Sequence, residues 1–573
     1  MLKRFLVFVL AALMLTPTLV ACAPSALQSG SVLNIGLTDD FNSLNADNVT
    51  GEAALAVNEE ISKITNANFF FTDANGALVP NENFGSVEVV SESPFRVRYS
   101  LTGKAKWSDG VAVSARDLML SWLAARNPAD AGFNTVRAGS GLRFTTSVPV
   151  VAADGKAIEI TYDRAVADWQ TAITVTAAAH LVAQQAFDAD DVESAWARFD
   201  EAISSANVAD QSLLSAQYAQ LYLARSSLFE AAKVGAGPYL VTEFQPGQLL
   251  TLKVNPEFAW GPAPKIETLN IRFFADSTAM LSALQDGQVD IAAPQESGIA
   301  SNADLISLAR VAGARYEFAA STAIEAVLLN FAEGSVFSDA TSPDAANLRD
   351  ALLKLIPRAK ILTALSADNP VIEARSWIYA NSSNYYAPFI QSNGSHDYLV
   401  QDAERAQELV EQSDARTPVD VRVLFDANNP RAKKEWQLLG EYANAAGFNL
   451  IDVSSKDPRT VFTTGGFDAF ITTVKLAAEL NGDPYWFTGN SVGKFSSTKI
   501  DMLLAKYAAE TKPLDQISVL KDIDAELYAA KFGLPLYQVP SLLVYGERLA
   551  SVVKAPYGAS ATYGYWNWSI TKN

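Results

Sequence analysis

Residues 235–292 constrain the fold of this 573-residue chain more than any other stretch. They run Gly235-Ala-Gly-Pro-Tyr239, Asn255-Pro-Glu-Phe-Ala-Trp260, Thr268-Leu-Asn-Ile-Arg-Phe-Phe274, Asp276 to Gly287, and Val289-Asp290-Ile291. Leu269, Ile271 and Phe273 alternate with Asn270 and Arg272, the period of a half-buried strand. Asp276 suits a helix N-cap, and Gly287 stands where a helix-ending glycine belongs. The order is therefore strand, turn, strand, helix, strand.

That order resembles the signature core of the extracellular solute-binding proteins of family 5, the peptide/nickel type, which deliver solutes to ATP-binding-cassette importers. The family pattern has Gly-Thr-Gly-Pro-Tyr, an Asn-Pro-x-Tyr-Trp turn, a strand crossing between lobes, and a helix ending Gly-x-x-Asp-Ile. Here Ala236 replaces the threonine, and an extra residue makes the aromatic turn Phe258-Ala259-Trp260. Further resemblances are Trp107-Ser108-Asp109-Gly110 and Asp402-Ala-Glu-Arg-Ala-Gln-Glu-Leu-Val410. In the family the tryptophan turn is a structural corner, so Trp107 is expected to pack and not to contact ligand.

The chain is too long for one core, so two or three domains are expected. The resemblance implies a two-lobed α/β fold of the periplasmic-binding-protein type (type II, cluster C), with a discontinuous first lobe and hinge strands. The expected division is a leader 1–22, a tether 23–32, lobe one 33–275 and 533–573 with a subdomain inserted at about 48–230, and lobe two 276–532. Two strands near Ala275 and Leu534 are expected to connect the lobes. Alternation places strands at 96–101 and 158–162, and Ser114 caps a helix over 115–125. A helix is expected over 348–361. The stretch 421–453 reads as a βαβ unit, with a helix of about 431–446 stopped by Gly447. Ala326–Asn330 reads as a short strand.

Residues 1–22 join Lys3-Arg4, an apolar run and Leu19-Val20-Ala21-Cys22, a signal peptide ending in a tetrapeptide similar to a bacterial lipobox. Cys22 is the one cysteine in a chain that otherwise avoids thiols, which favours acylation there, palmitate included, over an ordinary signal peptide or an uncleaved anchor. No later stretch approaches the roughly 20 apolar residues of a spanning helix. The lipid is thus the expected membrane contact, and the chain is expected on the extracytoplasmic face, as a monomer. A formal charge of −19 disfavours nucleic-acid partners.

Catalytic chemistry finds little support. Gly489-Asn-Ser-Val-Gly493 fits a nucleophile-elbow pattern, but His180 and His396, the two histidines, both precede Ser491. Neither a zinc set nor a phosphate or dinucleotide glycine motif is present. No cofactor or metal is expected. The reading is a binder, whose partners are a peptide or other small solute and an ABC permease.

Candidate ligand residues follow from the resemblance. The loop Asp39, Asp40, Phe41, Asn42 corresponds to the family's cleft mouth. Trp377 and Tyr385 lie in an irregular aromatic segment assigned to the same cleft, with core packing as the alternative. In peptide-binding members an aspartate three residues before an (Asp/Glu)-Pro pair holds the peptide ammonium. Counting back from Asp483-Pro484 gives Leu480, with Glu479 one position away. Glu479 substitutes, or free peptide N-termini are not recognised. Asn481, Asp483 and Trp486 complete the set. The absent aspartate keeps a second reading open: a non-transport lipoprotein of the same fold that regulates cell-envelope glycolipid biosynthesis.

Overall fold

A computed structural model describes residues 27–38, 41–48, 52–73, 78–126, 131–136, 140–294, 307, 310, 314–342, 344–366, 372–381, 383–413, 415–476, 492–553, 555 and 560–571. In chain order the strands are β1 (Gln28–Leu37), β2 (Phe70–Thr72), β3 (Leu78–Pro80), β4 (Gly85–Glu92), β5 (Phe95–Leu101), β6 (Val150–Val151) and β7 (Ala157–Tyr162). Then come β8 (Tyr239–Gln245), β9 (Leu249–Val254), β10 (Ile266–Phe273), β11 (Ile291–Ala292), β12 (Arg315–Leu329), β13 (Val419–Leu424) and β14 (Phe448–Asp452). β15 (Ala469–Lys475), β16 (Gly533–Tyr545), β17 (Leu549–Ala550) and β18 (Ser569–Ile570) follow.

One sheet runs through the molecule in the order β14-β13-β15-β12-β16-β11-β1-β10-β9-β8. Its two halves serve different cores. Leu33, Ile35, Leu250, Leu269 and Ile271 belong to the core that also holds Trp122, Tyr239 and Trp260. Val327, Leu329, Val421, Ile471 and Leu534 belong to another, with Phe337 and Trp377. Among the described residues, only β12 and β16 serve both halves. β12 pairs with β16 over Arg315–Ala320 beside β11, then over Ile324–Leu328 beside β15.

This corrects the position of the hinge. β10, read as a crossing strand, lies within lobe one between β1 and β9. The helix Ser277–Gln285 and β11 stay there too: Met280 packs on Gly36, and β11 pairs with β1. The first crossing is in β12. The second is in β16, between Gln538 and Pro540.

The stretch 235–260 is a knot of side-chain-to-backbone bonds. A Cβ on Gly237 would sit 2.2 Å from the carbonyl carbon of Thr65, so the position takes only glycine. Asn255 Nδ2 donates to Gly237 O at 3.0 Å, and Trp260 Nε1 donates to Ala236 O at 2.8 Å. Asp276 caps its helix through Ala279 N at 2.8 Å, and Gly287 has φ +70°.

The inserted subdomain carries the sheet β4-β5-β7-β6. Phe95, Val97, Tyr99 and Leu101 point inward. Between them, Arg96 and Arg98 both reach Glu159 on β7, at 2.6 and 2.9 Å. Ser114 and Asp117 cap the helix Ala115–Arg126 reciprocally. Trp107 is buried, and its turn is fixed by Asp109 Oδ2, 2.7 Å from His180 Nε2. The expected helix 348–361 is two helices, Ala345–Leu355 and Arg358–Leu365, because Pro357 cannot continue the first. C-terminal Tyr565 and Trp568 join the lobe-one core. Among the described residues no helix is long and apolar enough to cross a membrane.

Candidate functional site

Strand direction locates a cleft. β12 runs from lobe one into lobe two, and β16 returns. β11 is antiparallel to β16 and parallel to β1, which is parallel to β10, so all three point their carboxyl ends at lobe two. β15 is antiparallel to β12, and β13 and β14 follow β15, so these three point at lobe one. Six strand ends thus face one another across the β12–β16 ribbon. The carboxyl ends of parallel strands are where open α/β sheets bind ligands.

The floor is the register slip in that ribbon, between the pairs Ala320–Pro540 and Ile324–Gln538. Pro540 has no N–H to continue the ladder. Ser321 Oγ accepts from Ala323 N at 3.1 Å, and Gln538 Nε2 donates to Ser321 O at 3.2 Å. Gln538 Oε1 accepts from Asn381 N at 3.0 Å. A buried amide therefore ties the slip to the aromatic segment 372–381.

The lobe-one lip leaves β1 at Thr38. Asp39 and Asp40 lie outside the described residues. Phe41 turns inward, buried between Phe244 and Phe273 with ring centroids at 5.7 and 6.4 Å. Asn42 is half-buried and tied to Asn58: its N–H donates to Asn58 Oδ1 at 3.2 Å, and Asn58 Nδ2 donates to its Oδ1 at 2.8 Å. Phe41 and Asn42 hold the foot of the loop.

On the lobe-two side, Ala374 N donates to Leu536 O and Gln538 N to Ile372 O. The buried Arg358 donates to Ala374 O at 2.6 Å and pairs with Glu373 at 3.2 Å. Trp377 is fully buried, its ring 5.3 Å edge-on from Phe532. Its N–H donates to Asp524 Oδ1 at 2.8 Å, and Asn393 Nδ2 donates to Oδ2 at 2.9 Å. Burial raises the Asp524 carboxyl to about 6 despite these donors. In this structure Trp377 presents no face to solvent and is part of the lobe-two core. Tyr385 is 40% exposed and lies 5.5 Å from Tyr379.

Glu479, Asn481, Asp483 and Trp486 lie outside the described residues, as does Cys22. Lys475, at the end of β15, pairs with Ala323 beside the slip. The lobes also touch away from the ribbon. Gln516 Nε2 donates to Ala167 O at 3.2 Å, and Ala167 packs against the lobe-two core. Gln516, Ser321, Gln538 and Asn58 carried no sequence signal, because their partners are distant in the chain.

The sequence profile of the bacterial extracellular solute-binding proteins, family 5 Middle, matches residues 86–498. The chain belongs to this family. It is 24% identical to the oligopeptide-binding protein OppA of Mycobacterium tuberculosis, over 92% of this chain and 83% of that one. It is 21% identical to an uncharacterized lipoprotein of Mycobacterium leprae, over 98% of this chain and 97% of that one. Among solved structures, the periplasmic EDTA-binding protein EppA superposes with TM-score 0.78 at 20% identity, covering 96% of this chain and 98% of that one. The architecture is that of the two-lobed periplasmic binding proteins. The family is one of solute-binding proteins, not enzymes.

Proposed function

We propose that this protein is anchored to the outer face of the cell membrane by a lipid on Cys22. It captures peptides or similar small solutes in the interlobe cleft and presents its closed form to an ABC permease. The observation that carries this reading is the six strand ends facing each other across a two-stranded ribbon. That arrangement is a ligand crevice with a built-in hinge. Relatives named OppA favour peptides, and lipoprotein relatives of matching length favour the anchor.

The test is ligand-blind. The mature chain is purified and denatured, and any released small molecule is identified by mass spectrometry. That compound is added back while X-ray scattering follows the radius of gyration. A peptide or small solute is expected, with a smaller radius when bound and about 2.7 kcal/mol of stabilisation at a hundredfold excess over Kd. A chain that carries no small molecule, and that peptide mixtures neither stabilise nor shrink, would favour the glycolipid-regulating reading instead.

A further inference from the structure

The lobe-one sheet has a second face, turned away from the lobe-one core, and that face carries a polar pocket. Leu33, Ile35, Leu269 and Ile271 point into the core, so Asn34, Asn270 and Arg272 point the other way. On β9, Leu250 and Leu252 point inward, which leaves Leu249 and Thr251 on the outer face beside them. The helix Ser277–Gln285 covers Gly36 through Met280, and the β8–β9 turn holds Gln245 and Gln248. Asn34, Gln245, Gln248, Leu249, Asn270 and Arg272 line a concavity of about 330 Å³. Small-molecule sites start at roughly 300 Å³. This is not the cleft lip, because Phe41 stacks on Phe273, whose side chain is on the opposite face of β10.

Its hydrogen-bonding groups are oriented in advance. Asp290 is buried beside Arg548, 3.5 Å away, and its carboxylate only accepts. Asp290 Oδ2 takes the Asn34 backbone N–H at 2.9 Å and Asn34 Nδ2 at 3.4 Å. That decides which end of the Asn34 amide meets β10: Asn34 Oδ1 accepts from Asn270 Nδ2 at 3.0 Å. Asn270 Oδ1 in turn accepts from Thr251 Oγ1 at 3.1 Å. Both amide oxygens are engaged along this row, while each NH2 group keeps one hydrogen uncommitted. Arg272, one rung along, adds charge. Its Nη1 donates to Gln288 O at 3.1 Å and to Gln288 Oε1 at 3.3 Å. Among the described residues its Nε and Nη2 have no hydrogen-bond partner, and no carboxylate pairs with it.

We propose that this pocket binds the carboxylate of a small hydroxylated acid, at a site separate from the interlobe cleft. The free Nε–Nη2 edge of Arg272 matches the two oxygens of one carboxylate. The spare hydrogens of Asn34 and Asn270 supply further donors on the neighbouring rung. Gln245 and Gln248 are exposed, and an amide that both donates and accepts suits a hydroxyl group. Leu249 is the single apolar side chain of the lining, so an apolar ligand gains little there. A chain of formal charge −19 repels anions over most of its surface. A pocket lined by four amides and an unpaired guanidinium edge, with no carboxylate in its lining, is where an anion is accepted. Every lining residue belongs to lobe one, so binding here needs no closure and is independent of what the cleft takes.

The test is saturation-transfer NMR titration of the mature chain with D-galacturonate, with D-galactose as the neutral control and inorganic phosphate as the other oxyanion. Galacturonate is expected to bind with a Kd of about 1–10 mM, the strength of a few hydrogen bonds in an open site. Galactose should bind at least about tenfold more weakly, and Arg272→Gln should weaken galacturonate by a similar factor. Gln248→Glu puts a like charge at the rim, at an exposed turn position without a side-chain partner among the described residues. It should also weaken galacturonate and leaves the packing alone, so it decides the matter if Arg272→Gln does not fold. X-ray scattering should show an unchanged radius of gyration at saturating galacturonate. No galacturonate signal, equal binding of galactose, or unchanged affinity in either folded variant overturns the proposal. A shrinking radius would move the bound acid to the cleft and refute it equally. Phosphate binding more tightly than galacturonate would overturn the carboxylate assignment.

Discussion

Trp377→Ala separates a core tryptophan from a ligand-stacking one. The ring is fully buried and sits edge-on to Phe532, which is itself 5.1 Å edge-on from Phe495. Removing it takes 150–250 Å² of apolar surface out of the core, about 4–6 kcal/mol at 25 cal/mol/Å². An extended-chain reference overstates that figure, and measured large-to-alanine losses run about 3–5 kcal/mol. The Asp524 carboxylate still holds the backbone N–H of residue 377, so the segment has little freedom to collapse into the void. We expect a loss of about 4 kcal/mol. Urea unfolding followed by circular dichroism should show the lobe-two transition moving down by roughly 1–2 M, with an unchanged slope. Tyr385→Ala, at an exposed position, should stay within about 0.5 kcal/mol. If Trp377→Ala costs less than about 1 kcal/mol yet weakens ligand binding strongly, the ring belongs to the site and the packing account fails.

Cys22→Ser should release the protein from membranes or leave it unprocessed, which fractionation and intact-mass measurement detect; normal maturation with unchanged membrane retention refutes the lipid anchor. Glu479→Gln should weaken peptides with free N-termini by about ten- to a hundredfold, the value of a charge-assisted hydrogen bond of roughly 1.5–3 kcal/mol, and spare N-acetylated analogues. Calorimetry on both peptide types checks this, and equal losses for the two would mean that Glu479 does not read an amine.

Local rules made much of this fold legible. The βαβ unit read at 421–453 is present as β13, the helix Pro430–Ala443 and β14, because strand alternation, the Asn429 cap and Gly447 agree with one another. The βαβ unit is a local structure, and its signals are local. β12 is the opposite case. Its first two-thirds, Arg-Tyr-Glu-Phe-Ala-Ala-Ser-Thr-Ala-Ile, is rich in alanine and small polar residues with weak strand propensity, so only 326–330 read as a strand. The sheet around it supplies the pairing that its side chains do not. Trp377 and Phe41 show the limit of aromatic residues as cleft markers, since burial and not residue type decides whether a ring can meet a ligand. Glu479 falls outside the described residues.

The ribbon of β12 and β16 also bears on how such a molecule can be altered. The chain leaves lobe one on β12 and returns on β16, and those two strands are hydrogen-bonded neighbours, with Ile324 opposite Gln538. Topologically, all of lobe two is a single excursion whose two ends emerge side by side. Loops of that kind tolerate exchange, because the gap to be bridged is one strand spacing, about 4.8 Å, however long the excursion. One lobe's side of the cleft can therefore be replaced by recombination at the ribbon while the other stays intact. A family built this way can change its cargo without rebuilding its platform.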